Sequence, residues 1–281
     1  SGSTWHAIGA PTTAAGVILS KTTLVRFLPV GDFNGAPGSL TVHAVDDSDS
    51  TQSFTSGASA VTFDTTADDG TSHVSSSSVA LNTSINAVND PPTASNVTFA
   101  SNVAEDTTAP TGETIDSLFS SVFTDGVDGG SNQGSNALAG IAITTDNATT
   151  AQGAWEFSVD GSTWTALSTV SISSTNALYL SKASYLRFIP TTDYNGTVGS
   201  LDVHVVDNNG SSTFSTVSSA QLANPSGNGG DNDTSSSTYT VGIQTTEVND
   251  APSFTGGATI SGTHVEDVAS TGVSIDSLMG S

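Results

Sequence analysis

The sequence predicts an all-β protein made of tandem antiparallel β-sandwiches in repeats of about 160 residues, and three observations carry that expectation. Short runs rich in β-branched and aromatic residues alternate with clusters of Gly, Asn, Asp and Ser, the punctuation of strands and turns. The chain repeats itself at a fixed offset. Hydrophobic residues make up 35% of the 281, enough for thin cores between sheets but lean for one large globular enzyme.

The repeat sets the frame. Gly2-Ser-Thr-Trp5 recurs as Gly161-Ser-Thr-Trp164, Val25-Arg-Phe-Leu-Pro29 as Leu186-Arg-Phe-Ile-Pro190, and Asp32-Phe-Asn-Gly35 as Asp193-Tyr-Asn-Gly196. The strand-like segment 38–46 matches 199–207, Val88-Asn-Asp-Pro-Pro92 matches Val248-Asn-Asp-Ala-Pro252, and Glu105-Asp106 matches Glu266-Asp267. All offsets lie between 159 and 161 residues. Residues 1–88 are therefore the C-terminal part of one repeat, 89–248 a complete repeat, and 249–281 the N-terminal part of the next. Such a frame is expected of a window on a longer array. The alternative is a subunit whose partial ends are completed by neighbouring chains.

Within the complete repeat, strands are predicted at 94–99, 139–144, 154–159, 163–168, 177–180, 184–190, 200–207 and 237–247. Period-2 alternation in Leu201-Asp-Val-His-Val-Val-Asp207 puts Leu201, Val203 and Val205 on one face and Asp202 and His204 on the other. Trp155, Phe157, Trp164 and Phe188 suit the space between sheets. His43 and His204 are expected to face outward, and Arg26 and Arg187 to pair with nearby carboxylates. Ile115, Leu118, Phe119 and Val122, at i, i+3, i+4, i+7, predict a two-turn amphipathic helix over 115–123. The Gly- and Asn-rich stretch 221–236 reads as a long polar loop.

Charge narrows the partners. Four Lys and Arg stand against 27 Asp and Glu, a net charge of -23, which argues against nucleic acid or an anionic membrane and in favour of cations. With no cysteine there are no disulfides and no thiolate zinc sites. The longest apolar run, 137–143, is too short to insert in a membrane, and the N-terminal residues lack the pattern of a signal peptide, so an export signal is expected outside this sequence. Gly-x-Ser-x-Gly, His-Glu-x-x-His and phosphate-binding Gly-rich motifs are all missing, and the expectation is a protein that is not an enzyme.

Antiparallel strands alternate between the two ends of a sandwich, and that parity sorts the acids into two groups. At the junction before the complete repeat stand Asp32, Asn89, Asp90, Asp125, Asp128 and Asp207. At the junction after it stand Glu105, Asp106, Asp193, Glu247, Asn249 and Asp250. Gathered carboxylates repel one another unless a cation holds them, and Ca2+ accepts six to eight oxygens in flexible geometry. Ca2+ is the expected ion. For Asp193-Tyr-Asn-Gly196 a plain Asx-turn stays open beside the ligand role.

The Val-Asn-Asp-Pro-Pro linker, the Glu-Asp after the first strand, Asp-x-x-Asp, and a strand ending in Asp before a polar loop resemble cadherin-like repeats. The Trp-Glu-Phe-Ser-Val-Asp-Gly-Ser-Thr-Trp run, Leu-Arg-Phe-Ile-Pro and Asp-Tyr-Asn-Gly are similar to the repeats of giant bacterial surface proteins, large repetitive adhesins among them. The resemblance implies a cadherin-like, Ig-like stacked rod with Ca2+ between units, exported to the bacterial cell surface, with adjacent repeats as its partners. Two departures bear on it. Cadherin linkers carry an acid two residues before the Asn; Glu247 fills that place in the second linker but Ala87 in the first, so the first junction is expected to bind more weakly or hold fewer ions. Asp125-Gly-Val-Asp128 is one residue longer than the family's Asp-x-Asp. Self-association into an extracellular filament and a glycan-binding module are the competing readings.

Overall fold

The computed structural model describes residues 4–31, 33–46, 48, 53–56, 59–66, 73–126, 137–225, 233–252, 260 and 264–279. The fold is mostly β, in antiparallel and mixed sheets. Residues 4–88 contribute β1 (Gly16–Val17), β2 (Leu40–Val45), β3 (Thr62–Phe63) and β4 (Val74–Leu81), which form two antiparallel pairs, β1 with β3 and β2 with β4.

The complete repeat opens with three short strands, β5 (Val97–Thr98), β6 (Val103–Ala104) and β7 (Glu113–Thr114), and the helix α1 (Ile115–Phe119). Then follow β8 (Leu138–Asp146), β9 (Gly153–Ser158), β10 (Thr165–Ala166), β11 (Ala177–Ser181), β12 (Tyr185–Pro190), β13 (Gly196–Thr197) and β14 (Leu201–Asp207). It closes with β15 (Leu222–Ala223), β16 (Tyr239–Gly242) and β17 (Gln244–Thr246). A second short helix, α2 (Ile275–Met279), stands one repeat after α1.

Three sheets surround one core. A six-stranded sheet runs in the order β15-β11-β8-β14-β16-β5, a four-stranded sheet β10-β9-β12-β7, and a three-stranded sheet β13-β17-β6. Most pairings are antiparallel; β16 with β5 and β17 with β6 are parallel. The side chains that alternation turns inward fill the space between. Leu201, Val203 and Val205 of β14, Ile141 and Ile143 of β8, Leu186 and Phe188 of β12 and Trp155 of β9 are all fully buried in one apolar cluster. Trp155 stacks edge-on against Phe188 at 5.4 Å and gives its indole N–H to the Gly199 carbonyl at 2.9 Å, so its polar handle is satisfied as its ring is buried. Ala142, Ala177, Tyr179 and Val206 make a smaller cluster on the other face of the same sheet, with Phe214 packed on it. The six-stranded sheet is thus covered on both sides at its centre, and β8 reads as a nearly continuous apolar run for that reason.

Several expectations need correcting. The helix stops at Phe119 after five residues; Phe123 still donates to the Phe119 carbonyl at 2.8 Å, but Thr124 has already turned to bridge Thr93. Ile115, Leu118 and Phe119 are buried as the spacing predicts. Segment 237–247 is two strands in two sheets, divided at Ile243. Trp164 is not in the core: it is half-buried, edge-on to Tyr185 at 6.5 Å and capped by the Arg187 guanidinium 4.0 Å above its ring. Arg187 itself pairs with Glu156 at 2.6 Å, as one of few cations in an acidic chain should. The stretch 221–236 is a loop only in part, because Leu222–Ala223 pairs with β11 and Asp233, Thr234 and Ser235 are buried; 226–232 lie outside the described residues. His204 is half-buried and bonds the Ser235 carbonyl at 2.7 Å, and His43 bonds the Ser75 carbonyl at 2.8 Å, so both tie their strands to the following segment.

Candidate metal centre

Two acidic groups stand on different elements of the complete repeat. The first forms where β6 ends. Asp106 and Asp193 both adopt the left-handed backbone, φ 64° and 59°, a conformation Asp tolerates because its short polar side chain bonds locally. Asp267, one repeat after Asp106, does the same at φ 60°. The Asp193 amide donates to Asp106 Oδ1 at 3.2 Å, which seats the Asp193-Tyr-Asn-Gly196 turn on the Glu105-Asp106 corner. Glu105 is buried, 4% exposed, and works as a strut: its Oε1 accepts from the Val248 amide at 2.6 Å and its Oε2 from Asn195 Nδ2 at 3.1 Å. The first bond draws the linker 247–250 against the corner across 143 residues of chain.

Asp106, Asp193 and Asp250 result as an exposed group in which one carboxylate oxygen from each lies within 4.8 Å of the other two. That separation suits a single ion, since two oxygens each 2.3–2.6 Å from a Ca2+ stand about 5 Å apart at most. Three carboxylates and no nitrogen or sulfur form a hard donor set, fit for a divalent cation of the Ca2+ or Mg2+ type. Electrostatics agree. The Asp250 carboxyl is held above the ordinary carboxylate range, first by loss of solvent and then by the negative charges of Asp193, Asp106 and Glu105. Asn249 turns its amide to the Asp250 carbonyl at 3.3 Å, and Glu247 is exposed and stands outside the group of three.

The second group lies where β14 ends. Asn89 and Asp207 are buried, 4% and 2% exposed, and Asn89 Nδ2 donates to Asp207 Oδ2 at 3.1 Å. Asp207 Oδ1 accepts from the Asn209 amide at 2.8 Å, and the Asp207 amide donates to the Asp233 carbonyl at 2.8 Å. The paired bonds of Thr93 and Thr124, 2.7 and 2.8 Å, lay the linker beside 124–126, where Asp90 packs against Gly126 and the side-chain oxygens of Asp125 are buried. Asp32 and Asp128 lie outside the described residues.

Three residues of these groups were not singled out in sequence. Asn195 sits inside a motif that was, so its role was within reach. Asp233 is the last residue of Gly-Asn-Gly-Gly-Asp-Asn-Asp, whose composition reads as loop; it is 1% exposed and accepts from the Ser212 amide at 3.0 Å and the Thr234 hydroxyl at 3.2 Å. Asn209 carries no signal beyond following Asp207. Comparison with models of known protein families, with curated protein sequences and with solved structures finds no match.

Proposed function

We propose that this chain is a non-enzymatic extender segment of a giant extracellular bacterial surface protein, an adhesin of the cadherin-like kind, in which Ca2+ at the junctions stiffens a row of β-sandwiches. One observation carries the reading: Asp106, Asp193 and the linker residue Asp250, from three separate segments, converge to within the span of one ion. The repeat extends it. Asp90 occupies in the first linker the place of Asp250 in the second, and packs beside Gly126 at the Asn89–Asp207 end of the sandwich. A linker Asp therefore has acidic company on the unit before it in one copy and on the unit after it in the other. A cation held by that residue links the two units.

Without the ion, like-charge repulsion loosens the linker before it affects the apolar core, because the core has no part in the acidic group. Titration calorimetry with Ca2+ on the full chain is expected to show binding that Asp193→Asn weakens about tenfold or more, equivalent to ~1.4 kcal/mol or above. X-ray scattering in chelator should give a larger spread of end-to-end dimensions than in millimolar Ca2+. Zero heat, with scattering indifferent to chelator, would rule the cation clamp out.

A further inference from the structure

The linkers enter and leave the complete repeat at opposite ends of one seam. From Asn89, bonded to Asp207 at the end of β14, the chain runs through β5 and β6 to Glu105, and the last strands run beside it in the same direction. β16 is parallel to β5 through Val97↔Val241 and Thr98↔Gly242, and β17 to β6 through Val103↔Thr245 and Ala104↔Thr246. The chain then leaves past Val248, beside Glu105. Because the first and last strands are parallel, a pull on the two linkers drags them past each other along their length, where antiparallel end strands would be peeled apart. The inter-strand bonds lie across that direction, so they share the load and give way together.

Core and side chains reinforce the seam. The Phe99 amide donates to the Gly242 carbonyl at 3.0 Å and the Glu105 amide to the Thr246 carbonyl at 2.9 Å. Phe99, Val103, Val241 and Ile243 are buried in the common apolar cluster, Phe99 against Trp155 with ring centroids 5.7 Å apart, so sliding the strands also draws apolar groups out of the core. Where backbone pairing ends, a side chain takes over. At the entry end Asn96 Oδ1 accepts from the Thr240 amide at 3.0 Å. At the exit end the buried carboxylate of Glu105 accepts from the Val248 amide at 2.6 Å and from Asn195 Nδ2 at 3.1 Å, charge-assisted bonds that tie the outgoing linker to the end of β6.

We propose that this seam is a clamp against tension, in which parallel end strands are loaded in shear and Glu105 is the latch that holds the exit linker to β6. The function assigned to Glu105 is mechanical: its two oxygens are committed to Val248 and Asn195, while Asp106, Asp193 and Asp250 beside it face one another. Only the source of the tension rests on the extender reading. The resistance belongs to the fold of residues 89–248 and does not need the cation.

The chain has no cysteine, so paired cysteines give unique handles for single-molecule pulling on the full chain. Asn86→Cys with Ala251→Cys loads the two linkers. Ser95→Cys with Thr238→Cys, at exposed positions just before β5 and β16, peels the same strands from one end. In chelator the first pair is expected to unfold at a force at least about twice that of the second, because forced unfolding follows the barrier along the direction pulled. Glu105→Gln, and independently Val248→Pro, which removes the amide donor at an exposed position, should speed unfolding at constant force along 86–251 at least about tenfold and along 95–238 less than about twofold. The same difference between directions in chelator and in millimolar Ca2+ supports the clamp even where no Ca2+ binds. A difference seen only with Ca2+ overturns it, since the resistance then belongs to the ion. So do equal forces in the two directions, or Glu105 and Val248 variants that unfold along 86–251 at the rate of the parent chain.

Discussion

Residues 4–88 and their counterparts in the complete repeat share local hydrogen bonding yet differ in burial. His43 to the Ser75 carbonyl and the Ala44 amide to Ser75 Oγ are matched by His204 to the Ser235 carbonyl and the Val205 amide to Ser235 Oγ. The Thr55 amide bonds the Ile18 carbonyl as the Ser215 amide bonds that of Tyr179, and Arg26 caps Trp5 as Arg187 caps Trp164. The apolar positions diverge. Phe27 is 47% exposed and Phe188 fully buried, and Leu81 is 48% exposed where Val241 is fully buried. Turn and cap chemistry forms from residues close in sequence or one strand away, so it is reproduced. Burial of an inward face needs the opposite sheet and β8; residues 89–248 include both, whereas the first copy's counterparts of β5 to β9 are not among residues 1–281.

The largest expected break in this comparison comes from one core residue and its copy. Phe188→Ala should cost the complete repeat about 3–5 kcal/mol, the range for a fully buried aromatic, whereas Phe27→Ala should cost well under half as much. Denaturant unfolding of both variants measures this; equal losses would mean that 4–88 is closed by contacts of its own. The linkers give a smaller contrast. Asn89→Ala leaves the buried Asp207 Oδ2 without the Asn89 bond and should cost about 1–3 kcal/mol, while the exposed counterpart Asn249→Ala should change thermal stability by less than about 0.5 kcal/mol.

The smallest effect is on proton binding. Because the folded-state pKa of Asp250 is raised, its ionisation opposes the closed linker: the favourable contribution is complete below the unfolded value near 3.8 and is lost as pH rises through the raised one. In chelator, acidification from neutral pH should therefore tighten residues 247–250. With Ca2+ present it should loosen them, as protons displace the ion. Carboxyl NMR titration checks the cause: Asp193→Asn should bring the Asp250 midpoint part of the way back, and an unmoved midpoint would remove Asp193 from the group.

Much of the fold was legible because its signals are short-range. Alternation placed Leu201, Val203 and Val205 inward, and the i, i+3, i+4 spacing placed Ile115, Leu118 and Phe119. Trp164 was misassigned because an aromatic flanked by strand residues has the same signature in a core as on a rim, and only the approach of Arg187 and Tyr185 puts it on the rim. Of the site, parity put Glu105, Asp106, Asp193, Glu247, Asn249 and Asp250 at one junction; side-chain oxygens of Asp106, Asp193 and Asp250 come together there, Glu247 and Asn249 stand outside that group, and the division of labour in which buried Glu105 braces the linker carried no sequence signal. Asp233 was hidden because Gly- and Asn-rich flanks look alike whether solvated or folded over a sheet.

The sequence by itself determined the repeat, the strands within it and the acidic residues at matching places, since each follows from patterns a few residues long copied at a constant offset. Tertiary structure alone decided which donors meet which acceptors: the Asn89 amide with the Asp207 carboxylate across 118 residues, and the Val248 amide with the Glu105 carboxylate across 143. The physical reason is one of range. A strand's pattern says which face wants cover, but what provides that cover depends on chain far away in sequence.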